Sequence, residues 1–370
     1  MKEQKRTTFL TGATGLVGSY LLKTLLKNGH KVFVLARSKT GKSANDRVVE
    51  VLDFWDKDVC SRYSKNLIVL EGDVTEKNLG LKEKDLSLLK NEVEEIFHCA
   101  ASIAFNWPLD KIREVNVEGT RKVLDLALPL KKLKKFNHIS TAYVCGDYKG
   151  IFEENDLDVG QSYNNTYDQS KFEGERIIEV YRRNSNLWID IFRPCVVVGE
   201  SNTGKIPVSR QAFYQIFCVW NSEIFAYFPD DNYFFNLVPV DEVSKSILKI
   251  SDNTSIRSKN YHVFKSQSLS LKEIINVSSD FLGFKKPVIV PVDEFLKKHS
   301  TPVLKSILRN NFFAFNGNVK LDSKITEGIL KDYNFEYSGV NKDLLLRLLS
   351  FLVKSKFINT HTKEKVRERR

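Results

Sequence analysis

The glycine-rich run from Gly12 to Gly18 constrains the fold of this chain more than any other stretch. It follows an apolar, β-branched segment at residues 7–11 and precedes leucines at helical spacing that continue to Gly29. Glycines at a strand-to-helix turn let the backbone approach a phosphate closely, and the helix N-terminus offers free N–H groups to the anion. The sequence therefore predicts a dinucleotide site with contacts from Gly12, Thr14, Gly15, Leu16, Val17 and Gly18.

The spacing of apolar residues predicts an α/β chain. Candidate strands lie at 7–11, 31–36, 66–71, 95–100, 135–140 and 188–193, and helical patterns lie at 16–28, 109–128 and 167–183. A polar insert at 38–65 is expected to hold a further helix. Strands that alternate with helices in this way predict a doubly wound parallel sheet of the Rossmann type.

Tyr167 and Lys171 are four residues apart in a helical pattern, so both side chains are expected on one helix face. A nearby ammonium lowers the pKa of a phenol, which lets tyrosine exchange a proton with a carbonyl oxygen. This spacing is also common on exposed helix faces. The pair gains weight from the segments 138–146 and 192–199, which precede and follow it.

Together with Gly72-Asp73-Val74 and the segment 115–120, these motifs resemble the extended short-chain dehydrogenase/reductase family over residues 7 to about 265. Within that family, the segments 34–37, 98–101 and 140–143 are most similar to fatty acyl-CoA reductases and male sterility-type thioester reductase domains. The resemblance implies a nucleotide-binding Rossmann domain at 1–199, with returning segments at about 234–265. The remainder, 200–370, is expected to form a smaller, discontinuous substrate lobe with a basic tail.

The end of the second predicted strand indicates the cofactor. An NAD site usually places a carboxylate about 20 residues after the glycines, whereas this chain has Arg37, which can pair with a 2′-phosphate. NADPH is therefore the expected cofactor. The family resemblance implies further cofactor contacts from Asp73, Val74, Ala100, Ala101, Ser102, Tyr167, Lys171, Pro194, Cys195 and Val196.

The resemblance also implies the reaction. Thr141 is expected to supply a second hydroxyl beside Tyr167, with Ser140 as its neighbour and Asn116 as a supporting residue or a core amide. The expected activity is NADPH-dependent reduction of an acyl thioester to an aldehyde or alcohol. A ketone or hydroxysteroid reductase, a nucleotide-sugar epimerase and a non-catalytic NADPH-sensing regulator remain alternatives.

The net charge of +11 indicates an anionic partner, for which acyl-CoA or an acidic acyl-carrier protein is suitable. Peripheral contact with anionic lipid is an alternative. Nucleic acid is not expected because no nucleic-acid module accompanies the basic tail. No apolar run approaches the roughly 20 residues of a membrane span, and the first six residues lead directly into a strand, so a cytoplasmic location is expected.

The five cysteines lack zinc-site spacing, which favours core positions over metal ligands. Aromatic residues are concentrated at 213–235, where they could line an acyl tunnel or fill the core of the second lobe. The oligomeric state is left open.

Overall fold

The computed structural model describes residues 5–39, 41–105, 107–163, 165–207, 212–222, 226–230, 234–253, 258–266, 269–299 and 319–360. A seven-stranded sheet forms the centre of the fold. Its strands are β1 (Thr7–Thr11), β2 (Lys31–Ala36), β3 (Leu67–Glu71), β4 (Glu95–His98), β5 (Lys135–Ile139), β7 (Ile189–Arg193) and β12 (Asn260–His262). They lie in the order β12-β7-β5-β4-β1-β2-β3, and every pair is parallel. The predicted doubly wound parallel sheet is confirmed.

The shorter strands lie outside this sheet. They are β6 (Ile151–Phe152), β8 (Val196–Val198), β9 (Tyr227–Pro229), β10 (Phe234–Phe235), β11 (Leu237–Pro239), β13 (Leu269–Ser270), β14 (Val288–Val290) and β15 (Lys320–Leu321). They form four two-stranded pairs. In one of them, β8 follows β7 directly along the chain and pairs with β11.

The α-helices of the described residues are α1 (Leu16–Lys27), α2 (Ala44–Trp55), α3 (Val59–Arg62), α4 (Glu83–Glu92), α5 (Leu109–Arg113), α6 (Gly119–Ala127), α7 (Thr166–Asn184), α8 (Ala212–Asn221), α9 (Val240–Ser251), α10 (Leu271–Leu282), α11 (Val292–Glu294), α12 (Lys324–Asp332) and α13 (Lys342–Lys354). Wider π-type turns lie at Glu114–Glu118 and Phe295–His299, and 3-10 turns lie at Ser64–Asn66, Lys77–Gly80 and Ala142–Cys145. The helix predicted at 109–128 is thus one helical stretch with a π-turn in its middle.

Alternate residues of each central strand point to opposite faces of the sheet, and both faces are covered. Leu10 packs in a cluster with α1, α2 and α9, whereas the adjacent Phe9 packs in a separate cluster with α4, α6 and α7. This arrangement leaves the carboxyl ends of β1 and β4 facing a crevice where the strand order reverses, which is the usual ligand site of such folds.

A third apolar cluster lies among helices from the C-terminal half of the chain. It joins α8, α10 and α13 and includes the leucine stripe Leu345, Leu348, Leu349 and Leu352. Six of the predicted aromatic residues are buried in this cluster, namely Phe213, Tyr214, Phe217, Trp220, Phe228 and Phe235. Phe225 and Tyr233 lie outside the described residues, as do residues 361–370 of the basic tail. The domain boundaries stay predictions.

The C-terminal part of the chain also contacts the first half of the fold. Strand β15 pairs with β6, and Ile329 and Leu330 of α12 pack in the same cluster as Leu10. The buried Glu154 carboxylate accepts hydrogen bonds from the backbone N–H groups of Ile325, Thr326 and His262. Glu154 therefore joins the start of α12 to the edge strand of the central sheet.

Two further properties of the described residues bear on function. None of their helices has both the length and the apolar character that a membrane span requires. In the same part of the chain, no group of three or more His, Cys, Asp or Glu side chains could hold a metal ion, and all five cysteines are free.

Candidate active site

The turn between β1 and α1 forms a cradle that only glycine can complete. Gly12 has φ +76°, and a Cβ added there would lie 2.5 Å from the Ala100 nitrogen. A Cβ on Gly18 would lie 2.3 Å from the Gly12 carbonyl oxygen. Helix α1 begins directly after Gly15, and no side chain caps its first N–H groups. These features fit a pyrophosphate bound against the helix N-terminus.

A cavity of about 510 Å³ extends from this turn across the carboxyl ends of the sheet strands. Apart from Ser102 and Asn116, all of the predicted site residues line it. They are Gly12, Thr14, Gly15, Leu16, Val17, Gly18, Arg37, Asp73, Val74, Ala100, Ala101, Ser140, Thr141, Tyr167, Lys171, Pro194, Cys195 and Val196. Predicted residues from seven separate segments of the sequence therefore meet in one place.

Three cations, Arg37, Lys39 and Arg47, line one end of the cavity, called here the basic end. Arg37 donates a hydrogen bond to Asp73 at 2.9 Å, and its side chain is 58% exposed. Arg47 donates to the carbonyl oxygen of Arg37 at 2.5 Å and reaches the Thr14 hydroxyl at 3.5 Å. Burial raises the pKa of Asp73, but hydrogen bonds from Thr75 and Arg37 outweigh it and lower that pKa overall.

Two residues of the basic end, Lys39 and Arg47, were not among the predicted site residues. Lys39 lies three residues after the end of β2, and this position could have been used to predict that it lines the cofactor site. Arg47 lies in α2, and its position depends on how that helix packs against α1 and β3. The sequence alone does not fix that packing.

The other end of the cavity, called here the reaction end, is lined by Thr141, Tyr167 and Lys171. Burial raises the pKa of the Tyr167 phenol above its ordinary value, and Asp168 adds to this, whereas a hydrogen bond with the Thr141 hydroxyl opposes it. The expectation that the Lys171 ammonium would lower this pKa is wrong for the structure, because burial dominates. Tyr167 therefore holds its proton at neutral pH, as a proton donor in a reduction requires.

Lys171 is 2% exposed and has two partners beneath the cavity floor. Its Nζ lies 3.1 Å from His138 Nε2 and 2.9 Å from the carbonyl oxygen of Ile139. Burial lowers the pKa of Lys171 to about 8, although Glu175 and Cys99 oppose that change. An ammonium has three donors, so one N–H remains available to a ligand in the cavity.

Asn116 lies in the π-type turn at Glu114–Glu118 and holds a neighbouring loop. Its Oδ1 accepts from the Ser102 backbone at 2.7 Å, while Nδ2 donates to the Ser102 carbonyl at 3.0 Å and to Ser170 Oγ at 2.8 Å. The amide is 1% exposed and its hydrogen bonds are made within the protein. Asn116 and Ser102 thus support the wall formed by Ala100 and Ala101 instead of contacting the cavity.

Two further polar residues that sequence reasoning did not assign also line the reaction end, Tyr143 and Asp168. Phe105 lies edge-on to Tyr167, with ring centroids 5.4 Å apart, and contributes an apolar wall. Ser140 is 4% exposed, and its hydroxyl has no hydrogen-bond partner in the described part of the chain.

A family model described as male sterility protein matches residues 10–247, which is more than half of the chain. The chain belongs to this family. The assignment confirms the family predicted from the motifs and agrees with the parallel sheet and glycine cradle. The male sterility model begins within β1 and ends within α9, so it covers the whole cavity floor.

Individual relatives agree with this family. Fatty acyl-CoA reductase 1 of Rattus norvegicus is 36% identical over 155 residues, which are 40% of this chain and 30% of that protein. Carboxylic acid reductase of Segniliparus rugosus is 31% identical over 226 residues, which are 56% of this chain and 19% of that protein. The chain therefore spans less than a third of the length of either relative.

Among solved structures, the chain is similar to the terminal R domain from the myxalamid PKS-NRPS biosynthetic pathway. The TM-score is 0.80 at 27% identity, and the match covers 96% of this chain and 92% of that domain. The similarity thus extends over nearly the whole length of both chains.

Proposed function

We propose that this protein is an NADPH-dependent reductase of acyl thioesters. The observation that carries the proposal is one continuous cavity that joins the phosphate cradle and the basic end to Thr141, Tyr167 and Lys171. A cofactor bound along the cradle would bring its nicotinamide toward the reaction end, where a proton donor and a cation lie side by side. A cytoplasmic location remains part of the proposal.

The basic end supports NADPH over NADH. A 2′-phosphate would meet three cations where an NAD site would offer a carboxylate to the ribose hydroxyls. Asp73 does not change this expectation, because it already accepts hydrogen bonds from Thr75 and Arg37. Arg37 keeps further N–H donors for a phosphate while it pairs with Asp73.

When bound, NADPH supplies a hydride to the carbonyl carbon of the substrate. Tyr167 and Thr141 hydrogen-bond the carbonyl oxygen as negative charge develops there, and Tyr167 donates its proton. Lys171 holds the cofactor ribose with its remaining N–H and stabilises the tyrosinate formed by that proton transfer. For a thioester, the resulting hemithioacetal breaks its C–S bond, which releases a thiol and leaves an aldehyde. A second reduction would give the alcohol.

Three observations favour a thioester over the ketone and sugar alternatives. The named relatives are an acyl-CoA reductase, a carboxylic acid reductase and a reductase domain. The net charge of +11 suits the phosphates of coenzyme A or an acidic carrier protein. Phe105 and Phe213 line the cavity and provide apolar surface for an acyl chain.

The test follows NADPH oxidation and free-thiol release together, with acyl-CoA, acyl-carrier, aldehyde, ketosteroid and nucleotide-sugar substrates. The proposal expects one thiol for each NADPH consumed in the first step. Oxidation with a ketone and no thiol from any thioester would overturn the substrate assignment. Tight NADPH binding without turnover of any substrate would instead favour a sensing role.

A further inference from the structure

Asp168 is a buried carboxyl group that the proposed reaction does not use. It is 1% exposed and lines the cavity at the reaction end. Its Oδ2 accepts from Asn165 Nδ2 at 2.6 Å, and its own backbone N–H donates to Asn165 Oδ1 at 2.8 Å. These two contacts fix the first turn of α7. Oδ1 has no hydrogen-bond partner among the described residues.

A buried polar atom without a partner destabilises the protein, so such atoms usually meet a ligand or ordered water. Ile103, Phe105, Pro207 and Phe213 make other parts of the same cavity apolar. An unsubstituted acyl chain would therefore satisfy the apolar walls and leave Asp168 unpaired. The carboxyl group indicates that the natural substrate carries a polar substituent.

Tyr143 supplies a second polar group beside Asp168. It follows Thr141 by two residues, lines the cavity and is half-buried. Burial raises the pKa of Tyr143 well above its ordinary value, with further contributions from Cys195, Cys145 and Asp168. The phenol therefore keeps its proton and can donate a hydrogen bond.

Asp168 follows Tyr167 directly, and consecutive Cα atoms are about 3.8 Å apart. Tyr143 follows Thr141 by two residues. Any group that these two side chains bind would consequently lie near the reacting carbonyl.

We infer that Asp168 and Tyr143 bind a hydroxyl group on the acyl chain, on the carbon α or β to the thioester carbonyl. The inference rests on the proposed function and narrows its substrate class to hydroxyacyl thioesters. A hydroxyl both donates and accepts, so it can pair with Tyr143 and with Asp168 in either protonation state. Burial raises the pKa of Asp168 to about 8, opposed by Asn165, which favours a neutral substituent over an ammonium.

The experiment compares acyl thioesters of one chain length that are unsubstituted, α-hydroxylated, β-hydroxylated or α-aminated. For each substrate, kcat/KM is measured from NADPH oxidation with thiol release. We expect one hydroxylated substrate to exceed the unsubstituted one by about 10- to 100-fold, since the unsubstituted chain leaves a buried carboxyl oxygen unpaired.

The Asp168→Ala and Tyr143→Phe variants should bring this ratio toward one, and Asp168→Asn should retain part of it. The ratio cancels general effects on folding or cofactor binding. Asp110→Asn is the matched control because Asp110 is 98% exposed and does not line the cavity. It should keep the ratio of the unmodified protein.

A ratio near one in the unmodified protein would overturn the inference. A ratio that stays unchanged in both Asp168→Ala and Tyr143→Phe would overturn it as well. In either case, thiol release would still support thioester reduction. Preference for the aminated substrate that Asp168→Ala abolishes would overturn the hydroxyl assignment. Absence of turnover with every thioester would instead defeat the proposed function, and the inference with it.

Discussion

The side chains at the two ends of the cavity differ in their exposure to water, and this difference predicts how strongly substitutions at each end affect binding and turnover. At the basic end, the Arg37 side chain is 58% exposed and its partner Asp73 is 23% exposed. At the reaction end, Thr141 and Lys171 are only 4% and 2% exposed. Exposed charges are screened by solvent and contribute in small increments, whereas buried hydrogen-bonded groups have large individual effects.

The largest effect is expected at the reaction end. Tyr167→Phe removes one hydroxyl, so turnover should fall by about 10²–10⁴, as is usual when a proton donor is lost. NADPH affinity and folding should persist because the ring contact with Phe105 remains. Steady-state kinetics, cofactor titration and thermal melting measure these three properties.

Tyr181→Phe is the matched control for this prediction. Tyr181 lies on the same helix but hydrogen-bonds Asp125 and does not line the cavity. If Tyr167→Phe stayed active, or if both variants lost activity alike, the proton donor would have to be another group.

A smaller effect is expected at the basic end. Arg37→Asp should weaken NADPH binding by about 1–2 kcal/mol, or roughly 5- to 30-fold, because it replaces a charged donor with a repelling carboxylate. NADH binding should change little, so the cofactor preference should shrink or reverse. Fluorescence titration with both cofactors measures the change, and Arg62→Asp, at an exposed site outside the cavity, is the control. Equal affinities in the unmodified protein would contradict the NADPH assignment.

The dependence of activity on pH should also distinguish the reaction end from the basic end. Lys171, with its pKa near 8, is protonated below that pH and neutral above it. The value of kcat/KM for NADPH should therefore be level below about pH 8 and fall about tenfold per unit above it, since it reports the free enzyme. The corresponding decline in kcat should occur at higher pH, because a bound anionic cofactor favours the ammonium form of Lys171.

The Lys171→Arg variant tests whether the decline in kcat/KM above about pH 8 is caused by Lys171. An arginine stays charged throughout the range, so any residual activity should lose the decline near pH 8. A decline that persisted in this variant would assign the titration to a different group.

The smallest effect is expected for Lys39→Ala. Lys39 is exposed, so its loss should weaken NADPH binding by roughly 0.2–1 kcal/mol at low salt. At about 1 M salt the Debye length is roughly 3 Å, and the difference should disappear. Lys42→Ala is the control, since Lys42 pairs with Glu50 at 2.6 Å and does not line the cavity. A larger, salt-independent loss would mean that the basic end is less open to solvent than its exposure indicates.

Sequence reasoning predicted the parts of this site that depend on local pattern. The strand before Gly12, the helix that begins at Leu16 and the four-residue spacing of Tyr167 and Lys171 follow from periodicity and turn chemistry. Six of the seven central strands accordingly lie within a few residues of their predicted bounds, the exception being β12, for which no bounds were predicted.

The remaining features depend on packing between distant segments. Arg47 reaches the cavity through the position of α2, and Asn116 is turned toward Ser102 within the π-type turn. The pKa of Tyr167 depends on burial beneath several elements, which outweighs the effect of the nearby lysine. None of these relations is local in sequence.

The Glu154 contact has a consequence for the order in which the protein can fold during synthesis. Its carboxylate needs the amides of Ile325 and Thr326, which leave the ribosome about 170 residues after it. Until then a buried acid at the sheet edge lacks most of its donors, and β6 lacks its partner β15. At the usual elongation rate of about 5–20 residues per second, this edge stays incomplete for roughly ten seconds or more. Strand β6, which lies outside the central sheet, therefore stays unpaired for that interval and is open to non-native strand pairing, even though all the strands of the central sheet are made before β15.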